Sequence, residues 1–161
     1  MLLEFKINLD EKRGLDHGTW SVLVNMYPCA DIPVVQLSMD YSMEARKIFE
    51  IGKILSKLRE EEVLILGSGN LVHNLRVIDW NASPYEWAIE YDNFVKNSIE
   101  KEDFESLINF KNHKLTNIAH PTYDHFLPLI YVLGATSKDQ HSFFNEEIFA
   151  GSVSMRCVVW S

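Results

Sequence analysis

Three histidines of this chain sit in distinctive local sequences: His17 in GLDHGTW, His73 in LGSGNLVHNLR and His125 in HPTYDHFLPL. Neutral imidazole is the commonest protein metal ligand and the usual proton carrier near neutral pH. One such residue means little. Three in these settings predict a convergent site, where a bound cation or a proton transfer does the chemistry. The remaining histidines offer less. His120 and His125 are five apart, which fits neither a helical i,i+4 zinc pair nor a finger. His120 precedes Pro121 and is expected in an extended segment. His113 and His141 lie in polar stretches and are expected to face solvent.

Each candidate also has a plainer reading. Taken alone, His73 reads as a satisfied core histidine. His17 lies between Asp16 and Gly18, and adjacency in sequence does not make Asp16 face the ring. Gly18 allows close approach of backbone or ligand. The GSGN turn could cradle a phosphate, but the P-loop lysine and the full dinucleotide pattern are both absent. Its expected role is geometric: Gly67 and Gly69 permit a tight turn with unusual backbone angles, which aims His73 and Asn74 into a cleft. Asn74 could hydrogen-bond an imidazole or a substrate. Arg76 could meet an acidic substrate group, though a surface carboxylate is the simpler partner. No Ser or Cys has a nucleophile-elbow setting, so a hydrolase triad is unsupported.

The elements that must position these residues follow from periodicity. Leu3, Phe5, Ile7 and Leu9 alternate with polar residues and predict a half-buried strand. GTWSVLVNMYP predicts a short helix ending before Pro28. IPVVQLSM predicts a buried strand, with Pro33 at its start. Ile48, Ile51, Leu55 and Leu58 predict a helix over 42–60 with Ser42 as N-cap. EEVLILGSG predicts a second buried strand. Strand, helix, strand is the parallel crossover unit, and ligands bind beyond the carboxyl ends of such strands. Trp87, Tyr91, Phe94 and Val95 make a helical stripe, and EKEDFESLINF a shorter one. DHFLPLIYVLGA predicts a helix that tolerates Pro128 in its first turn. TSKDQHSFFNEE reads as a surface loop and GSVSMRCVVW as a closing strand.

Bulk properties bound the partners. The 161 residues are 47% apolar and 24% charged, which suits one globular domain. A net charge of −8 argues against nucleic acid and against anionic membrane as partners. No apolar run reaches about 18 residues, so no membrane span is expected. Cys29 and Cys157 form neither a disulfide framework nor a metal knuckle, as suits a cytoplasmic protein with reduced thiols.

The histidine segments, in order with ADIPVVQLSMD, SPYEWA and GSVSMRCVVW, resemble the class III extradiol ring-cleaving dioxygenases. The likeness is to the 4,5-DOPA dioxygenase-like branch and spans nearly the whole chain. It implies an α/β fold, a three-layer α/β/α sandwich with a mixed, mostly parallel sheet. It implies a non-haem Fe(II) site, with Zn(II) a common occupant on isolation, that opens a small-molecule catechol with O2. By motif position, His125 matches a metal ligand. His73 matches the acid/base histidine beside the metal, which can itself ligate. His17 matches a histidine that contacts substrate or oxygen, and Asn74 and Asp16 are expected on the substrate side. Fe(II) would lower the pKa of the catechol hydroxyls, and His73 would take and return one proton.

The resemblance also implies earlier ligand blocks, one of SHGSP type, that these 161 residues do not contain. The expectation is a partial single domain over 1–161, N-terminally truncated relative to the family. Loss of a first strand and helix would expose apolar surface that a homodimer could cover. A truncated relative without catalysis, or a non-enzymatic binding or signalling protein on the same fold, is the alternative, since fold does not fix function.

Overall fold

The computed structural model describes residues 8–136 and 139–161, which fall into two compact units, one up to Asp40 and one from Tyr41 onward. Leu3, Phe5 and Ile7 of the expected first strand lie outside the described residues.

The first unit is built around one helix. α1 (His17–Met26) ends before Pro28, as its pattern predicts. Asp16 caps it by accepting a hydrogen bond from the Thr19 amide at 3.0 Å. Asp16 is also tied to Gln36: its amide donates to Gln36 Oε1 at 3.0 Å, and Gln36 Nε2 donates back to Asp16 Oδ2 at 2.5 Å. Residues 33–39 form no ladder among the described residues, and Val35 is 91% exposed. The apolar, β-branched pattern predicted a buried strand there, and none is assigned. Whether an extended segment becomes a strand depends on a partner backbone, which the pattern does not contain.

The second unit is mostly helical. α2 (Ala45–Leu55) buries Ile48, Phe49, Ile51 and Gly52. It starts after Glu44, whose side chain makes no cap bond, and not at Ser42. It tightens into a 3₁₀ turn over Ser56–Glu61, closed by Glu62 in the left-handed region at φ 61. α3 (Glu86–Glu100) buries Tyr91, Val95 and Ile99, with Trp87 and Phe94 half-buried at the edge of its stripe. α4 (Phe104–Ile108) and α5 (Thr116–Ala119) are short. α6 (Leu127–Thr136) is apolar on every side, so it can only lie inside; Leu127 and every residue from Leu129 to Thr136 are buried. Pro128 sits within its first turn, where a missing N–H costs nothing.

α2 crosses α6 at a pair of glycines. A methyl group on Gly134 would stand 2.1 Å from the Phe49 carbonyl oxygen, and one on Gly52 would stand 2.1 Å from that of Tyr131. The helices approach backbone to backbone, and only hydrogen fits at the crossing.

The strands close the chain. β1 (His141–Phe144) pairs with β4 (Cys157–Trp160), and β2 (Ile148–Phe149) with β3 (Val153–Ser154), both antiparallel. The expected parallel crossover does not form among the described residues: 63–70 carries no assigned strand, and Leu64 is 62% exposed. Tight turns with positive φ at Asn145, Ala150 and Gly151 fold the last segment back on itself, which makes antiparallel pairs. The polar stretch expected as a loop therefore contains β1. The expected single closing strand breaks between Ser154 and Cys157, where Arg156 turns inward to an acid. Helices and strands together make the chain α/β.

Gly134→Ala is expected to lower unfolding stability by about 2–3 kcal/mol, because a packed backbone must shift. Urea unfolding of the variant against wild type checks this, and equal midpoints would disprove the close crossing.

Candidate functional site

The site is assembled on residues 69–74, which run between two walls of backbone. On one side the Asn70 amide donates to the His125 carbonyl at 3.0 Å. A methyl group on Gly69 would stand 2.2 Å from that same carbonyl oxygen. On the other side the Ser154 amide donates to Val72 O at 2.9 Å, and the Asn74 amide to Ser152 O at 3.2 Å. His73 makes an antiparallel bridge with Val153, and its amide donates to Ala119 O at 2.9 Å. This corrects the expected role of the glycines. Neither Gly67 nor Gly69 has a positive φ; they are needed because the chain passes hard against α6 at Pro128 and Val132, and against the turn before it at His125.

This passage stacks two of the three candidate histidines. The His73 and His125 rings lie face to face, with centroids 3.5 Å apart and planes 7° from parallel. Both are half-buried. Burial pushes the His73 imidazole below its usual pKa, the neighbouring His125 adds to this, and Asp124 opposes it. Burial likewise lowers His125 against the pull of Asp124, whose Oδ2 lies 3.7 Å from His125 Nε2. Two imidazolium charges at stacking distance would repel. The pair is therefore set up with neutral rings, whose bare nitrogens can accept a proton or a metal. A cavity of about 460 Å3 opens on the Asp124 side, with Tyr41, Lys111 and Tyr123 in its wall.

The other expected residues have different surroundings. Asn74 is buried, and its carboxamide is spent on the backbone: Nδ2 donates to Ile118 O at 2.7 Å and Oδ1 accepts from the Arg76 amide at 3.0 Å. It caps the 3₁₀ turn Leu75–Val77. Arg76 is exposed. His17 and Asp16 belong to the first unit, where His17 opens α1 with its ring edge-on to Trp20. His113, expected in solvent, stacks on Phe94 at 4.2 Å and is half-buried. His141 is half-buried in β1.

Two groups escaped the sequence reading. Asn70 touches His125 directly, with Oδ1 2.9 Å from Nδ1. Its only signal was its place at the end of GSGN. Asp92 and Arg156 form a buried ion pair behind the site, with Nε and Nη2 donating to Oδ2 at 2.9 and 2.6 Å. Asp92 Oδ1 accepts from Ser154 Oγ at 2.6 Å, and Arg156 also pairs with Glu146. An arginine inside an apolar closing strand was the signal, because buried charges are paired.

His120 lies fully buried behind the pair, between Tyr91 and Phe126. Its Nε2–H donates to Leu71 O at 2.9 Å, and Nδ1 has no partner. Burial pushes it down to about 4, against the opposing pull of the Leu71 carbonyl.

Among the described residues, no group of three His, Cys, Asp or Glu side chains converges on a metal position. None of their helices is long and apolar enough to cross a membrane.

With this geometry in hand, the comparisons with known proteins give the class. Residues 1–156 match the family model for the catalytic LigB subunit of aromatic ring-opening dioxygenase, and the chain belongs to that family. It is 41% identical to the 4,5-DOPA dioxygenase extradiol of Escherichia coli K12, covering 98% of this chain and 61% of that protein. It is 39% identical to the protein of the same name from Mirabilis jalapa, covering 81% of this chain and 50% of that one. A crystal structure of an uncharacterized protein from Escherichia coli K12 superposes with a TM-score of 0.89 at 42% identity, over 98% of this chain and 67% of that chain. The chain thus spans about half to three-fifths of the length of these curated relatives.

His120 gives a prediction with a definite sign. Its folded pKa of about 4 lies below the unfolded value of about 6.5. Between those values the unfolded chain binds more protons. Its contribution is therefore complete above pH 6.5 and is lost as pH falls toward 4. Going from pH 7 to pH 5 should cost wild type roughly 2 kcal/mol more than His120→Phe, measured by urea unfolding at both pH values. Parallel losses in the two proteins would contradict the buried neutral ring.

Proposed function

We propose that this chain carries the acid/base histidine and a metal-ligating histidine of a non-haem extradiol dioxygenase, which opens a catecholic ring with O2. The observation that carries the proposal is the stacked His73–His125 pair, 3.5 Å apart, in a chain of the LigB family. The presence of this pair, with 41% identity to an extradiol dioxygenase, speaks for an enzyme over a silent relative or a binding protein on the same fold. The proposal includes the family's three-layer α/β/α arrangement with a mostly parallel sheet.

The donor chemistry suits a first-row divalent ion, Fe(II) in the working enzyme, with Zn(II) able to replace it. His125 fits one position of such a site, since it is neutral and one of its nitrogens already has a protein partner. The described residues do not complete a three-ligand set. The stacking divides the roles. An imidazole binds a metal along a lone pair in its own ring plane. Parallel rings at 3.5 Å send those directions side by side instead of to one point. The motif match then assigns His125 as the ligand and His73 as acid/base, and the Asn70 partner on His125 Nδ1 supports that order.

A bound metal would supply Lewis acidity toward the catechol oxygens and a binding position for O2. His73 then does the proton work. Its ring is neutral and half-buried, so its bare nitrogen can take a phenolic proton and later give it back. Its backbone is held by Ala119 and Val153, and its ring is stacked on His125. The roles of His17 and Asp16 toward substrate or oxygen rest on their motif match alone.

His73→Phe should cut ring opening of L-DOPA by Fe(II)-loaded protein at least about 100-fold, followed as yellow product, while leaving bound metal unchanged. His125→Ala should lose the metal. Loss of metal in His73→Phe would make His73 a ligand, and full turnover in that variant would end the acid/base assignment.

A further inference from the structure

We infer that Asn70 is a positioning residue that locks His125 in a single tautomer, proton on Nδ1, so that Nε2 is left bare. The consequence for metal binding rests on the reading of His125 as a ligand; the tautomer itself does not.

The inference follows from a chain of donors and acceptors with one consistent direction. It starts at the Ser154 carbonyl, which can only accept. That carbonyl is fixed in β3: the Ser154 amide donates to Val72 O at 2.9 Å, and its hydroxyl donates to the buried Asp92 at 2.6 Å. Asn70 places one end of its carboxamide 2.8 Å from Ser154 O. That end must be the NH2, because an oxygen there would face an oxygen. The other end, Oδ1, then necessarily faces His125 Nδ1 at 2.9 Å. A carbonyl oxygen cannot donate, so Nδ1 carries the proton. In a neutral ring the second nitrogen, Nε2, has only its lone pair.

The backbone adds a second restraint. The Asn70 amide donates to the His125 carbonyl at 3.0 Å, so residue 70 grips residue 125 at both main chain and side chain. Ring rotation would break the Asn70–His125 bond and the stack on His73 together. The buried Asp92–Arg156 pair anchors this chain through Ser154. Metal-binding imidazoles usually have such a partner on the far nitrogen, and losing it typically weakens binding 10- to 100-fold.

Two variants separate positioning from simple structural support. Asn70→Ala removes the acceptor. Asn70→Asp keeps an oxygen for Nδ1–H but loses the donor to Ser154. The readout is the long-range proton–nitrogen NMR correlation of the histidine rings in metal-free protein at about pH 8.5, where imidazole is neutral. The His125 signals are assigned by their loss in His125→Ala. Wild type and Asn70→Asp should show the Nδ1–H form, and Asn70→Ala a mixture rich in Nε2–H. Zinc alone, titrated against a chromophoric chelator, should bind Asn70→Ala about 10- to 100-fold more weakly than wild type, and Asn70→Asp more tightly than Asn70→Ala. An Nε2–H ring in wild type, or an Nδ1–H ring retained in Asn70→Ala, would overturn the inference. Equal zinc affinity in wild type and His125→Ala would instead overturn the ligand reading, and with it the consequence for metal.

Discussion

Residues 69–74 hydrogen-bond at once to the turn that holds His125 and to strand β3. This double attachment is the constraint on which the site depends. It puts His73 on one wall, brings Asn70 to the other, and leaves the two imidazoles in contact. Backbone bonds of this kind have little freedom, so the side chains they carry are aimed with little further cost in entropy. Glycine at 69 makes the passage possible, because a side chain would collide with the His125 carbonyl.

Behind the passage sits a charge pair with almost no access to water. The Asp92 and Arg156 side chains are only 5% and 6% exposed. Such a pair adds little net stability over an apolar substitute, but breaking it leaves a buried charge at high cost. Its value here lies in direction: Asp92 accepts from the Ser154 hydroxyl, and Ser154 in turn orients Asn70. A local carboxamide and a distant salt bridge thus converge on one imidazole. The helical side is held just as tightly, since the glycine crossing of α2 and α6 fixes the helix that follows His125.

The sequence was legible where local periodicity carried the information. α1, α2, α3 and α6 stand where spacing or apolar run length predicted them, although α2 gives way to a 3₁₀ turn after Leu55 instead of running on to residue 60. Strands were harder. The runs at 33–39 and 63–70 read as buried strands because they are apolar and β-branched, yet no ladder among the described residues includes them. The stretch around His141 read as loop because it is polar, yet it pairs with Cys157–Trp160. A strand is a relation between two segments, and composition describes only one of them. Asn74 looked more chemical than Asn70 because it adjoins the histidine. The fold spends Asn74 on backbone and gives Asn70 the imidazole.

By itself, the order of residues determined the family and the histidine types, because motifs keep their chemistry wherever the chain puts them. It also determined the helices, since a helix closes its hydrogen bonds within a few residues. Tertiary structure decided which side chains meet. The stack of His73 on His125, the approach of Asn70 and the buried Arg156–Asp92 pair join positions 52, 55 and 64 residues apart. Contacts across such distances arise only when distant backbones pack, and packing is a property of the whole core.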